Sequence, residues 1–129
     1  MKIRRFMRDE QGLAAVEFAV LAPALIMLLV GTMTMSILLF TSTSLHFATA
    51  EAARCASVRT TVCTDASSTV TYAAAHYYGS ARAAAFTCTG RVCGGTAACG
   101  NRVVGTVTMT LDVGLASYST PLSSTACYP

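Results

Sequence analysis

The sequence predicts an α+β fold: a long N-terminal helix, half of it in a membrane, followed by a small disulfide-stapled domain with a short helix and antiparallel strands. A charge-free apolar run as long as a bilayer is thick predicts the membrane helix. All 6 cysteines follow that run, which predicts the staples. Near the C-terminus the hydrophobic period changes from helical to alternating, which predicts the strands.

The apolar run extends from Phe18 to Phe40 without a formal charge. As a helix rising ~1.5 Å per residue it covers about 35 Å, against a hydrocarbon core of roughly 30 Å. Pro23 is expected to kink this helix without dividing it, because membrane helices tolerate proline. The alanine-rich sequence that follows predicts helix to about Ser57. The predicted organisation is a leader over residues 1–12, a transmembrane helix over 13–40, and a cysteine-rich domain over 41–129.

The charges set the predicted topology. Four basic residues precede the apolar run, at Lys2, Arg4, Arg5 and Arg8. Under the positive-inside rule the leader is cytoplasmic, and the single-pass chain places its C-terminal domain in the periplasm or outside the cell. After residue 12, five arginines face four acidic residues, so no basic patch is evident and no nucleic-acid partner is predicted.

The cysteines lie on the far side of the predicted membrane, where an oxidising compartment favours disulfides. The outer segment has few large apolar residues, so crosslinks of ~2 to 4 kcal/mol each would stabilise it appreciably. The sequence does not choose among the possible pairings. The candidates are Cys55, Cys63, Cys88, Cys93, Cys99 and Cys127.

Local patterns predict the elements of the outer domain. A second helix is expected over residues 70–86, capped by the serines before it, although Gly79 could break it. Residues 87–101 read as a stapled loop rich in glycine and cysteine. Residues 103–113 alternate with one face inward, which predicts a strand that turns at Gly114. The sequence LASYST predicts a partner strand that ends at Pro121.

The segment GLAAVEF, residues 12–18, is the strongest functional signal. Glu17 places a carboxylate at the start of an apolar helix, where an anion is costly. Cleavage between Gly12 and Leu13 would create an α-amino group four residues before Glu17, able to pair with it or with that of a neighbouring subunit. The alternative is an interfacial charge that water and headgroups reach.

These residues resemble the type IV prepilin superfamily and, more narrowly, the TadE-like proteins of tight-adherence (Tad/Flp) pilus systems. The resemblance rests on RDEQG before the cut, VEF with Glu17 and Phe18, AVLAPALIMLL, and ATAEAARCASV. More weakly, VTMTLDVGLASYSTPL is similar to the C-terminal strand of that family. The resemblance implies a pilin-like architecture, processing by a prepilin peptidase between Gly12 and Leu13, and assembly guided by Glu17 with Phe18. Its implied partners are membrane lipid, other pilin or pseudopilin subunits and an inner-membrane assembly platform.

The length beyond the membrane refines the expected function. A major subunit would be little more than the helix, whereas this chain carries some 89 residues after Phe40. We therefore expect a minor pilin or pseudopilin that contributes to pilus assembly, priming or adhesion. It would reside in the bacterial inner membrane and could enter a surface pilus. The alternative is a membrane-anchored periplasmic binding module that is neither processed nor assembled.

The residues argue against three other interpretations: a secreted protein, a metal-binding protein and an enzyme. A secretory signal peptide cut after Ala50 would need a shorter apolar region. His46 and His76 with the cysteines lack the tight spacing of zinc ligands, and no catalytic motif stands out, so neither metal, cofactor nor enzymatic activity is expected. The tyrosines at 72, 77, 78 and 118 fit either core packing or an adhesive surface.

Overall fold

The computed structural model of the chain describes residues 10–81, 83–112 and 117–129. The predicted fold class is confirmed: a long helix precedes a short helix and a three-stranded antiparallel sheet. Residues 1–9 of the predicted leader and the predicted turn at Gly114 lie outside the described residues. The elements in chain order are α1 (Glu10–Val58), α2 (Ala66–Ala75), β1 (Ala85–Gly90), β2 (Asn101–Asp112) and β3 (Ser117–Tyr128).

Helix α1 contains 49 residues and continues through Pro23. Its length is about 74 Å at ~1.5 Å per residue, more than twice the thickness of a hydrocarbon core. It begins at Glu10, slightly ahead of the predicted start near Leu13. The chain forms two compact units that divide within α1, after Ser36.

In the first unit, α1 is apolar and exposed on all sides. Exposed fractions of its large apolar side chains run from 50% at Val30 to 76% at Met27. The hydroxyls of Thr32, Thr34 and Ser36 donate to carbonyls of their own helix at 2.8 to 2.9 Å, which satisfies them without water. Within the described part of the chain, α1 alone is long and apolar enough to cross a membrane.

The second unit, Ile37–Pro129, packs the outer half of α1 against the sheet. The inward residues of β2 follow the predicted alternation, with Val103, Val107 and Met109 buried. Gly105 lies between them, and a Cβ there would sit 2.8 Å from both Phe86 and Thr49, so helix and sheet approach closely. The buried residues of α1 are mostly small: Thr41, Ser44, Leu45, Ala48, Thr49, Ala52, Ala53, Cys55 and Ala56.

The sheet has the order β1-β2-β3. The prediction of a loop over residues 87–101 is wrong in its first part, because β1 pairs with β2 in the register Ala85↔Thr106 to Gly90↔Asn101. The prediction that Pro121 ends the last strand is also wrong. β3 runs through Pro121, which pairs with Thr108, and its position on an edge strand lets the missing N–H face away from the ladder.

Helix α2 is shorter than predicted and lies earlier in the chain. It ends at Ala75 with His76 as its C-cap, so Tyr77, Tyr78, Ala81 and Ala85 are not on a helical face. Contacts with α1 redirect the chain after the helix: Ser44 Oγ accepts the Tyr78 N–H at 2.7 Å, and the Ser80 and Thr41 hydroxyls lie 3.0 Å apart.

The N-cap of α2 is Asp65 rather than a serine, and it forms a capping box with Ser68. Its carboxylate accepts the Ser68 backbone N–H at 2.7 Å and the Ser67 hydroxyl at 2.9 Å. These bonds, the Ser68 backbone bond above all, lower the pKa of Asp65. The capping contribution is therefore present above the unfolded-state pKa of about 3.9 and is lost as the pH falls through the lower folded-state value.

We expect Asp65→Ala to lower the melting temperature of the outer domain at neutral pH, because it removes the cap. The difference from the parent chain should shrink in acid below the folded-state pKa of Asp65. Asp65→Asn, which keeps a capping oxygen but does not titrate, is the matched control. Thermal unfolding followed by circular dichroism tests this, and an Asp65→Ala difference that persists unchanged in acid would contradict it.

All six cysteines are paired. Cys55–Cys63 links the end of α1 to the segment before α2, and Cys88–Cys93 links β1 to the loop after it. Cys99–Cys127 ties the start of β2 to the end of β3. Their Cα atoms are 5.5 to 6.0 Å apart, within the usual range for disulfides. The structure thus supplies the connectivity that the sequence left open.

Candidate assembly site on the membrane helix

Glu17 lies in α1 among exposed apolar side chains. Val16, Val20 and Leu21 line a shallow depression with it and are 63%, 72% and 61% exposed. Among the described residues, no hydrogen-bond donor or cation lies within bonding distance of its carboxylate. The site is therefore one negative charge on a helix surface that is otherwise suited to lipid or to another helix.

The predicted processing residues precede Glu17 on the same helix. Both Gly12 and Leu13 fall within α1, and Leu13 precedes Glu17 by four residues. Phe18, 69% exposed, follows Glu17 by one residue and so points to a different side of the helix. Charge and aromatic ring are thus presented to different neighbours.

Sequence reasoning missed a polar cluster in the outer domain. The Ser124 hydroxyl lies 2.8 Å from His46 Nδ1 and 2.8 Å from Thr49 Oγ1, which joins β3 to α1. Ser124 is only 2% exposed and its hydroxyl is enclosed between strand and helix, so a substrate cannot approach it as it would a catalytic serine. The cluster holds strand β3 against α1. A sequence separation of 78 between Ser124 and His46 left no local signal for it.

Asn101 is a second buried junction that the sequence did not reveal. Its Nδ2 donates to Ser57 Oγ at 3.0 Å and to the Ala56 carbonyl at 3.4 Å. Its Oδ1 accepts the Val92 N–H at 3.1 Å. One side chain therefore ties the end of α1 to the start of β2 and to the disulfide loop after β1.

The structure also locates the candidate metal ligands and the four tyrosines. The described residues contain no group of three or more histidine, cysteine, aspartate or glutamate side chains that could hold a metal.

Tyr72 and Tyr77 are half-buried and pack on the core, in line with the packing interpretation. Tyr78 and Tyr118 are each 66% exposed, so packing does not account for them.

Comparison with known protein families identifies the part of α1 that carries Glu17. The family model described as TadE-like protein matches residues 12–54, from Gly12 through Glu17 to Arg54. This stretch of the chain is TadE-like. The resemblance seen in the sequence is thus confirmed for residues 12–54, the stretch that the TadE-like model matches.

The TadE-like match includes the apolar half of α1 and the buried face of its outer half, and ends one residue before the first cysteine. The disulfide-linked domain beyond it lies outside the match. Neither among curated proteins nor among solved structures was a match to this chain found. The long apolar N-terminal helix of the chain is suited to act as its membrane anchor.

Proposed function

We propose that the chain is a minor pilin or pseudopilin of a Tad/Flp-type pilus. It is made as a prepilin in the bacterial inner membrane, with its leader in the cytoplasm and its disulfide-linked domain in the periplasm. A prepilin peptidase removes residues 1–12. The observation that carries the proposal is the TadE-like match, which begins at Gly12 and includes Glu17 on an exposed apolar helix.

Cleavage after Gly12 supplies a cation four residues before Glu17. The new α-amino group of Leu13 pairs with the Glu17 carboxylate of the same chain or of an adjacent subunit. In a medium of low dielectric constant such a pair attracts far more strongly than in water. An unpaired carboxylate at membrane depth costs about 3 kcal/mol on insertion scales, so pairing between chains favours assembly in register.

The exposed apolar surface of α1 provides the lateral contacts with other pilin or pseudopilin subunits and with the inner-membrane assembly platform. The outer domain is carried on the same helix and is presented outward. Its small-residue core and disulfides give a rigid module whose exposed surface is free for priming, capping or adhesion.

The decisive experiment determines the N-terminal residue and intact mass of the membrane-extracted chain, expressed with and without a prepilin peptidase. We expect a peptidase-dependent start at Leu13. Gly12→Leu should keep the leader, whereas Gly31→Leu, at a helical glycine with nothing within 4 Å of the added Cβ, should be processed normally.

Two other results would contradict the proposal. A leader that stays intact beside an active peptidase would indicate a membrane-anchored periplasmic binding module. A start at Glu51 would indicate a secreted domain released by a signal peptidase.

A further inference from the structure

Two exposed tyrosines lie at the end of the second unit that contains Phe40 and Thr41. Tyr78 and Tyr118 are each 66% exposed, although they lie in an ordered loop and a paired strand. Tyrosine is the residue that membrane proteins concentrate at the headgroup layer, because its ring is apolar and its hydroxyl is polar. Both tyrosines belong to the same compact unit as residues 37–58 of α1, so the position of each tyrosine relative to Phe40 can be followed along this helix.

Tyr78 is held at the first turns of α1 beyond the apolar run. Its N–H donates to Ser44 Oγ at 2.7 Å, and Ser80 lies 3.0 Å from the Thr41 hydroxyl. Thr41 and Ser44 follow Phe40 by one and four residues, which is about 1.5 and 6 Å along a helix. Each headgroup layer is roughly 5 to 8 Å thick, so this loop lies at headgroup height.

Tyr118 reaches the same level from the sheet. Strand β2 runs antiparallel to α1, since Asn101 contacts Ala56 near the end of α1 whereas Gly105 lies against Thr49 and Leu45. Farther along, a cavity of about 360 Å³ is lined by Thr108, Met109 and Thr110 of β2 together with Ser80, Ala81 and Ala83.

Met109 is therefore level with the loop that holds Tyr78. Leu111 is two residues farther along β2, about 7 Å closer to the membrane, and it is the cross-strand partner of Tyr118. The strand pair thus brings the second tyrosine to about the level of Phe40, at the boundary between the hydrocarbon core and the headgroup layer.

We propose that Tyr78 and Tyr118 form a second contact of this protein with the bilayer, at the interface between hydrocarbon core and headgroups beside the point where α1 leaves the hydrocarbon core. The contact orients the outer domain on the membrane while the subunit awaits assembly, and it must be broken when the subunit leaves the membrane. The inference depends on the membrane insertion of α1 contained in the proposed function.

The chain has no tryptophan, so single tryptophans can report the position of each ring. The experiment uses the full chain in phosphatidylcholine vesicles that contain a lipid with a nitroxide on its headgroup, with Tyr78→Trp, Tyr118→Trp, Phe40→Trp and Tyr128→Trp each made separately. Phe40 ends the apolar run and reports insertion. Tyr128, whose carbonyl accepts from Ser57, lies about 26 Å along α1 from Phe40 and serves as the distant control.

We expect strong nitroxide quenching of Tyr78→Trp, Tyr118→Trp and Phe40→Trp, and none of Tyr128→Trp. Quenching of Phe40→Trp without quenching at positions 78 and 118 would overturn the second contact while leaving the anchor in place. If those two positions were also protected from aqueous iodide, a protein neighbour rather than lipid would cover them. An unquenched Phe40→Trp would overturn membrane insertion itself.

Discussion

Glu17→Ala should lower the incorporation of the chain into pili by roughly a hundredfold while leaving its membrane level and its processing unchanged. The substitution removes the only acidic side chain between Gly12 and Glu51 and leaves the proposed α-amino group of Leu13 without its partner. An uncompensated charge at membrane depth costs about 3 kcal/mol, and every 1.4 kcal/mol is a factor of ten in an equilibrium. The measurement is the amount of the chain in sheared pili relative to the membrane fraction.

Two variants separate this charge from general effects on the helix. Glu17→Asp keeps the carboxylate one methylene shorter and should retain part of the incorporation. Glu51→Ala removes a half-exposed acid of the same helix outside the apolar run and should leave incorporation unchanged. Normal incorporation of Glu17→Ala would refute the pairing mechanism, whereas loss of processing in that variant would show that Glu17 acts on the peptidase step.

The parts of this fold that could be predicted are those specified by local periodicity. The charge-free run and the alanine-rich continuation specify α1, because a helix depends on residues three and four apart. The alternation of Val103, Val107 and Met109 specifies β2 in the same way. The position of Glu17 on an exposed apolar helix was predictable because a lone carboxylate in an apolar run is visible in the sequence, whereas its role in assembly stays a prediction.

The errors lie where distant residues decide the local structure. The helix predicted over residues 70–86 ends at Ala75 because the chain bonds to Ser44 and Thr41, separated from their partners by 34 and 39 positions. The prediction that Pro121 ends its strand is wrong because proline is tolerated on an edge strand, and only the sheet order reveals that β3 is an edge.

The pairing and packing of the sheet also depend on residues far apart in the sequence, so local patterns did not predict them. The short strand β1 becomes a strand only through its pairing with β2, and its own composition resembles a loop. The cluster of Ser124, His46 and Thr49 likewise depends on the packing of β3 against α1.

Reduction of the three disulfides should unfold the outer domain and leave the membrane helix in place. In the chain-entropy model, loops of 5, 8 and 28 residues contribute about 2.1, 2.5 and 3.6 kcal/mol. Their total of about 8 kcal/mol is comparable to the whole stability of a small domain, ~5 to 15 kcal/mol. A core in which alanine and threonine are the most frequent buried residues has little further stability to replace this contribution. Circular dichroism and limited proteolysis in nanodiscs, with and without reductant, would show loss of the strands and release of fragments beyond the helix.

The disulfides should not contribute equally. Removal of Cys99–Cys127 by paired serine substitutions opens the loop of 28 residues and should cost about 1.5 kcal/mol more than removal of Cys88–Cys93 in the same way. For a domain of this size that difference corresponds to a melting temperature lower by roughly 6 to 12 °C. The Cys88→Ser and Cys93→Ser pair is the matched control, since it also removes two sulfurs next to the sheet. Equal losses would mean that local packing around each bridge, rather than restriction of the unfolded chain, sets the stability of this domain.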